Sequence, residues 1–299
     1  MMEKKDKTIQ YIEDFLQEDY SSLKEHLEEL IKKYQRKSKR LDRIIKQSDS
    51  QHHALMELNN TITQQKEELD TLHAYNVQQQ NIAKEKLDLT IVNALEKSEI
   101  YQTDIIYKPS DILSGDFYST YTLQDGSTLV YILDGQGHGI SPALTVFAVS
   151  STIASLVDSV KDFEDFVQKL FPKIQNFLGE EEQLTYIMLN IMPDGETLSY
   201  VGGGIYPFYV KNLNEIEKYK ANNLPFMSFS PLPVTKRIIK KWDKLFLYTD
   251  GLVEDLDENL LEYTPQHLIS DTAKFEYIRS IVEKGSFDDD ITVIQIAKK

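Results

Sequence analysis

The chain has 299 residues, of which 41% are hydrophobic and 27% are charged, so it can bury a sizeable core. It contains no cysteine, which excludes disulfides, zinc–thiolate sites and cysteine nucleophiles. Its net charge of −15 is uneven: residues 1–90 carry 15 basic and 17 acidic residues, which leaves 18 basic and 31 acidic residues for 91–299. An acidic domain repels nucleic acid and attracts divalent cations.

The first residues form no apolar run of the kind found in a signal peptide. The most apolar segment, 142–157, is shorter than the about 20 residues that span a bilayer. We therefore expect a soluble, cytoplasmic protein that binds neither a membrane nor nucleic acid.

Residues 1–90 lack proline and glycine and are rich in good helix formers. From Leu16 to Asn76, apolar residues recur with the spacing of a coiled coil. The a positions are Tyr20, Leu27, Tyr34, Leu41, Ser48, Leu55, Ile62, Leu69 and Asn76, and the d positions are Leu16, Leu23, Leu30, Lys37, Ile44, Gln51, Leu58, Gln65 and Leu72. This pattern predicts a coiled coil over 1–90 that forms a homodimer; the alternative is a solvated spacer helix without a partner.

Two of these core positions, Ser48 and Gln51, are polar and lie in the segment SDSQHH. This segment is a candidate hinge. The helix either continues through it or folds back there into a helical hairpin, and the pattern leaves both open.

After a short junction at 91–102, the apolar period changes to that of strands. The mostly hairpin-linked strands and grouped helices indicate an α+β fold for 103–299 rather than a doubly wound parallel sheet. The predicted strands are 101–109, 115–123, 127–133, 184–192, 197–203, 206–210, 244–249 and 291–297, and the predicted helices are 142–157, 163–178 and 275–283.

The dipeptide Asp-Gly occurs four times, in two kinds of place. At 125–126 and 194–195 it joins two strands, where it favours a type I′ turn, and we assign it to structure. Asp134 and Asp250 instead follow strands that look buried. A carboxylate in apolar surroundings costs several kcal/mol unless a cation or hydrogen bonds compensate it.

Two further acidic sites stand at strand ends. Asp116 lies at the head of the second predicted strand, and Asp288, Asp289 and Asp290 precede the last one. One such acid alone is more simply a solvated turn or a guard of an edge strand. Four sites together favour metal binding, and oxygen ligands suit two Mg²⁺ or Mn²⁺ ions.

Four segments, SGDFY, DGQGHG, FLYTDGLVE and DDDIT, occur in this order and resemble the signature blocks of the PPM family of metal-dependent protein phosphatases. The closest resemblance is to its bacterial SpoIIE/RsbU-like branch, and it covers about 105–297. It implies an αββα sandwich, with two stacked, mainly antiparallel sheets between helices and the metals at one end.

The resemblance also implies roles for individual residues. Asp290 takes the second place of the last block, Asp288 is an extra acid, and His138 belongs to a tight turn rather than to the ligands. The implied metal ligands are Asp116, Asp134 (bridging the two ions), the backbone carbonyl of Gly135, Asp250 and Asp289.

The implied reaction is hydrolysis of phosphoserine or phosphothreonine on a regulatory phosphoprotein by a metal-activated water, without a covalent phosphoenzyme. In related bacterial proteins the substrate is a small STAS-type anti-sigma antagonist in a partner-switching circuit. The coiled coil would then regulate the phosphatase.

The chain departs from the family at two places. Ser119 stands where members often have aspartate, and their Asn-Ala-Gly-His segment reads Gly202-Gly203-Gly204-Ile205 here. Both changes affect substrate positioning rather than metal binding. No arginine is evident to hold the substrate phosphate, and Lys108 is a candidate for this task.

Two other functions stay open at this point. One is a coiled-coil adaptor that keeps the phosphatase fold as a silent binding module, although retention of every acidic block argues against this. Alternatively, the domain hydrolyses small phosphoesters, which kinetics on a phosphopeptide would distinguish.

Overall fold

The computed structural model describes residues 3–137, 139–175, 178–179, 182–213, 215–239, 241–254 and 264–299. His138, which we expect in a tight turn, lies outside these residues. Contacts divide the chain into two compact units, Met1–Ala74 and Tyr75–Lys299.

The first helix, α1, runs without interruption over Glu3–Asp88. The candidate hinge at 48–53 is therefore helical, and no hairpin forms there. The apolar side chains at the predicted a and d positions are largely exposed, from 52% for Leu27 to 76% for Tyr34. The seam predicted from the sequence is thus free on this single chain.

The remainder forms two five-stranded antiparallel sheets with helices on their outer faces. The strands are β1 (Tyr101–Lys108), β2 (Asp116–Thr122), β3 (Thr128–Gly135), β4 (Leu184–Ile191), β5 (Thr197–Gly203), β6 (Phe208–Asn212), β7 (Glu215–Tyr219), β8 (Lys236–Ile239), β9 (Lys244–Tyr248) and β10 (Ile291–Lys298). The further helices are α2 (Ile140–Val157), α3 (Phe163–Gln175), α4 (Gly251–Glu254), α5 (Pro265–Ser270) and α6 (Thr272–Lys284). Sheet 1 has the order β2-β3-β4-β5-β8, and sheet 2 has the order β1-β10-β9-β6-β7.

Three apolar layers hold this arrangement together. Alternate residues of a strand point to opposite faces, so β3 sends Val130 and Ile132 into the layer between the sheets and Tyr131 and Leu133 towards α2 and α3. A third layer packs sheet 2 against α5 and α6. The predicted αββα sandwich is confirmed.

All eight predicted strands are present, but two strands were not predicted. The sequences of β7 (EIEKY) and β8 (KRII) lack the clear alternation of a half-buried strand. Both lie at the edges of their sheets. Charged residues on an edge strand prevent it from pairing with further strands. Because the same charges interrupt the apolar pattern, such strands are not predicted from apolar periodicity.

The predicted type I′ turns are wrong. Such a turn needs a positive φ at both central residues, whereas only the glycines, Gly126 and Gly195, have one (81° and 67°). Each glycine N–H instead donates to the carbonyl three residues earlier, at Leu123 and Met192. The aspartates keep their structural role, since Asp125 accepts a hydrogen bond from the backbone of Ser127.

Within the described residues, α2 is the one helix long and apolar enough to cross a membrane. Its buried side chains, among them Val146, Val149 and Ile153, belong to the layer over sheet 1. This packing makes it a core helix of the sandwich.

Candidate metal centre

Adjacent strands of sheet 1 bring the first two predicted acids together. β2 and β3 are antiparallel, and Asp116 lies directly opposite Asp134. Residues opposite each other in such a pair point to the same face of the sheet. Asp116 is 2% exposed, whereas Asp134 at the strand end is partly exposed.

Sheet 2 supplies the other two acids. β9 and β10 are antiparallel neighbours, so the end of one meets the start of the other. Asp250 follows β9 and Asp289 precedes β10. The approach is close: a Cβ on Gly251 would lie 2.3 Å from the carbonyl oxygen of Asp290. The charge of Asp289 contributes to a raised pKa of Asp250, after burial as the main cause.

Threonine hydroxyls outside the predicted set of ligands hold these carboxylates. Thr249 and Thr292 donate to Oδ2 of Asp116 at 2.8 and 2.6 Å, which links sheet 2 to sheet 1. Thr185 on β4 donates to Oδ2 of Asp134 at 2.8 Å. Two of these threonines were visible in the sequence, in the TDG and DDDIT blocks.

The three consecutive aspartates have different surroundings. Asp288 is exposed, and Asp289 is partly buried. Asp290 is 3% exposed and anchors the β1–β2 loop, because it accepts hydrogen bonds from the backbone of Ser110 at 2.7 Å and of Gly115 at 2.5 Å. Each carboxylate oxygen of Asp290 therefore accepts a hydrogen bond from within the protein. The sequence did not predict this structural role.

Backbone carbonyl oxygens also lie close to the start of β2, beside the carboxylates. A Cβ on Gly115 would lie 2.9 Å from the carbonyl oxygen of Gly137 and 3.1 Å from that of Gly135. Because neither oxygen can easily shift, only glycine fits at Gly115. The backbone of the predicted ligand Gly135 is thus brought directly against the start of β2.

The carboxylates raise one another's pKa. For Asp134 the pKa rises to about 7, first through burial and then through the charge of Asp250, although the bond from Thr185 opposes this. The pKa of Asp116 is also raised, by burial and then by the charge of Asp134. Among the described residues, no lysine or arginine is a main contributor to these shifts. The ionised cluster therefore lacks a compensating cation.

The donor set fits a hard divalent cation. As the side chains stand, no three described acidic or histidine side chains are close enough to hold an ion. The available donors are nevertheless carboxylate and backbone oxygens, which Mg²⁺ and Mn²⁺ prefer. The set of metal ligands inferred from the sequence thus stays a prediction, with all of its acids at one end of the sandwich.

The structure gives local reasons for the two departures from the family pattern. Ser119 is buried, and its hydroxyl accepts a hydrogen bond from the backbone of Val92 at 2.9 Å, so it fastens the junction to β2. At Gly203 a Cβ would lie 2.0 Å from the carbonyl oxygen of Leu224. The glycine run therefore lets the β7–β8 loop pack onto the end of β5.

Lys108, the candidate for holding the phosphate, has another partner here. Its Nζ donates to the carbonyl of Glu283 at 3.4 Å, in the last turn of α6. A lysine at this place also interacts favourably with the negative end of the helix.

Comparison with proteins of known sequence supports the resemblance. The family model described as "Stage II sporulation protein E (SpoIIE)" matches residues 124–299, which is more than half of the chain. A curated relative, the phosphoserine phosphatase RsbP of Bacillus subtilis (strain 168), is 26% identical over 184 residues. The match covers 56% of this chain and 46% of RsbP, so the chain spans about half the length of that relative.

Solved structures share the fold. The SiaA-PP2C domain of Pseudomonas aeruginosa is 16% identical with a TM-score of 0.57, and the alignment covers 74% of this chain and 96% of that domain. RsbX in complex with magnesium is 15% identical with a TM-score of 0.53, with 68% and 98% covered. At these identities the likeness concerns the fold alone. From the family model and the site's geometry together, the chain belongs to the SpoIIE family.

Proposed function

We propose that this chain is a metal-dependent protein serine/threonine phosphatase. One observation carries the proposal: carboxylates from both sheets meet at one end of the sandwich, where they raise one another's pKa without a compensating basic side chain. Such a cluster is stable in ionised form once divalent cations bind. The similarity to a phosphoserine phosphatase gives the reaction class.

Each protein group has a definable task in this reaction. Asp134, Asp250, Asp289 and the carbonyl of Gly135 would hold Mn²⁺ or Mg²⁺, and Asp116 would complete the set. When bound, two such ions supply Lewis acidity and an activated water for attack on phosphorus. The threonine hydroxyls fix the orientation of Asp116 and Asp134, and Asp290 fixes the loop that precedes β2.

The proposal is tested with p-nitrophenyl phosphate and a phosphoserine peptide, with and without Mn²⁺. We expect hydrolysis that requires Mn²⁺ and is lost in Asp134→Ala. Asp125→Ala is the matched control, because Asp125 belongs to an Asp-Gly pair in a hairpin far along β3 from the cluster.

Calorimetry of Mn²⁺ binding separates the remaining explanations. Mn²⁺ binding without turnover would indicate an enzyme held inactive. A wild type that neither binds Mn²⁺ nor hydrolyses either substrate would refute the proposal and favour the adaptor.

We further propose that the physiological substrate is a phosphoprotein of the STAS-type anti-sigma antagonist class. Among the structural relatives is a protein with RsbU and RsbW domains from Mycobacterium tuberculosis, 15% identical with a TM-score of 0.55. Weak hydrolysis of small phosphoesters compared with a phosphopeptide would support a protein substrate. Equal specificity constants for both would favour the small-phosphoester alternative.

Regulation through the N-terminal region completes the proposal. The exposed a and d side chains of α1 support pairing of two chains. The junction at 91–102 is bound to β2 by Ser119 and by backbone bonds between Thr120 and residues 92 and 94. If deletion of 1–90 changes neither activity nor oligomeric state, this part is wrong.

A further inference from the structure

The loop between β7 and β8 presents an unusual concentration of exposed apolar side chains. Within residues 222–234, here called the apolar loop, four large side chains are more than half exposed. Single exposed apolar residues are common, but a cluster on one loop marks an interaction surface. They are Leu224 (60% exposed), Phe229 (72%), Leu232 (57%) and Val234 (67%).

The backbone of the apolar loop is held in place by side chains. Asn223 closes its base, since its amide accepts from the N–H of Val234 at 2.7 Å and donates to the same residue's carbonyl at 3.2 Å. Ser230, at 6% exposure, donates to the carbonyl of Pro225 at 2.9 Å. Phe226 is fully buried beneath. A surface ordered in advance loses little entropy when it binds.

The apolar loop begins beside the candidate metal centre. Phe226 and Leu184 exchange two backbone hydrogen bonds of 2.8 and 3.0 Å. The next residue, Thr185, binds Asp134. The loop thus rests on the ends of β4 and β5, one and two strands from β3 in sheet 1. Two strand spacings are about 10 Å, which is the length of roughly three residues of an extended peptide.

The chemistry of the loop determines what it can recognise. Its exposed side chains, Leu224, Phe229, Leu232 and Val234, offer no charged group to a substrate. Fixed apolar side chains instead favour apolar residues, whose burial needs no charge partner.

Resting on the proposed function, we propose that the apolar loop binds the apolar flank of the phosphoserine segment of the substrate, with its main contact at Leu224. A large aliphatic residue about three positions from the phosphoserine would reach it.

A matched peptide pair tests this inference on the full chain. One short phosphoserine peptide carries leucine three positions away on both sides, and the other carries serine there. With Mn²⁺, we expect wild type to prefer the leucine peptide by roughly tenfold in kcat/KM, mainly through a lower KM. Leu224→Ser should reduce that preference several-fold and leave hydrolysis of p-nitrophenyl phosphate unchanged.

Leu213→Ser is the matched control variant. Leu213 is 76% exposed but lies in the β6–β7 turn. The end of β6 pairs with the start of β9, whereas Asp250 follows the end of β9, so Leu213 lies at the other end of these strands from Asp250. It should behave as wild type with both peptides. Binding of the fluorescently labelled leucine peptide to Asp134→Ala, measured by anisotropy, gives a readout independent of turnover and should weaken when Leu224→Ser is added.

The outcomes separate the two proposals. If wild type hydrolyses p-nitrophenyl phosphate with Mn²⁺ but treats both peptides alike, the docking inference is overturned and the phosphatase stands. It is overturned as well if Leu213→Ser and Leu224→Ser reduce the preference equally. If no substrate is hydrolysed in the presence of Mn²⁺, the proposed function is refuted instead. The anisotropy measurement would still test whether the apolar loop binds the leucine peptide.

Discussion

Along α1, apolar side chains such as Leu55 and Leu58 are more than half exposed. At the end of sheet 1, by contrast, the carboxylate of Asp116 is almost fully buried beside Asp134. In most folded proteins the apolar side chains are buried and the charged ones are exposed. The reason is that transfer out of water lowers the free energy of apolar groups and raises that of charged groups. Each region therefore carries an unfavourable free energy that binding of a suitable partner would relieve.

The difference indicates what each region requires. The helix needs an apolar surface, which a second copy with the same seam would supply. The carboxylate cluster needs positive charge, which its own described neighbours do not provide and divalent cations would.

The largest effect should come from the last acidic block. Asp289→Asn removes a proposed ligand, and we expect kcat/KM for the phosphoserine peptide to fall roughly a thousandfold, equivalent to about 4 kcal/mol of transition-state stabilisation. Asp288→Asn, at the exposed neighbouring position, should change the rate little. Steady-state kinetics with Mn²⁺ checks both. Equal losses would show that the block was assigned wrongly.

The helix is tested by placing charge on the seam. The double change Leu55→Lys and Leu58→Lys removes two apolar side chains per chain, each worth about 1.5–3 kcal/mol when buried. We expect a dimer to become a monomer in light scattering coupled to size-exclusion chromatography. Met56→Lys is the control, since Met56 is similarly exposed (52%) but lies off the seam. A monomeric wild type would contradict the coiled coil.

How far the sequence predicts these two regions depends on the kind of signal. The heptads of α1 and the continuous apolar run of strands such as β3 are properties of neighbouring residues, so the helix and the strand were both predictable. The role of Asp290 was not, because its partners Ser110 and Gly115 are 175–180 positions away in the chain. The same holds for Thr185, which binds Asp134 from another strand.

The metal-free cluster should make stability depend on pH. Burial raises the pKa of Asp134 in the folded protein to about 7, from an ordinary value of 3.8. The folded state therefore binds more protons between these values, and the free energy of unfolding falls as pH rises through this window. Thermal melts in EDTA measure it. Asp134→Asn should flatten the dependence, whereas an unchanged slope would show that the cluster is not strained by its charge.

The smallest effect concerns the junction between the two regions. Ser119→Ala leaves the N–H of Val92 without its hydroxyl partner, at a cost of about 1–3 kcal/mol. We expect the melting temperature to fall by several degrees and amide exchange at Val92 to accelerate. Ser155→Ala is the control, because that exposed hydroxyl donates only to the carbonyl of Thr152 in its own helix.

If the coiled coil acts on the phosphatase through this junction, Ser119→Ala should also weaken the difference in activity between full-length protein and a chain lacking 1–90. An unchanged difference would mean that the signal reaches the metal centre without the bond between Ser119 and Val92.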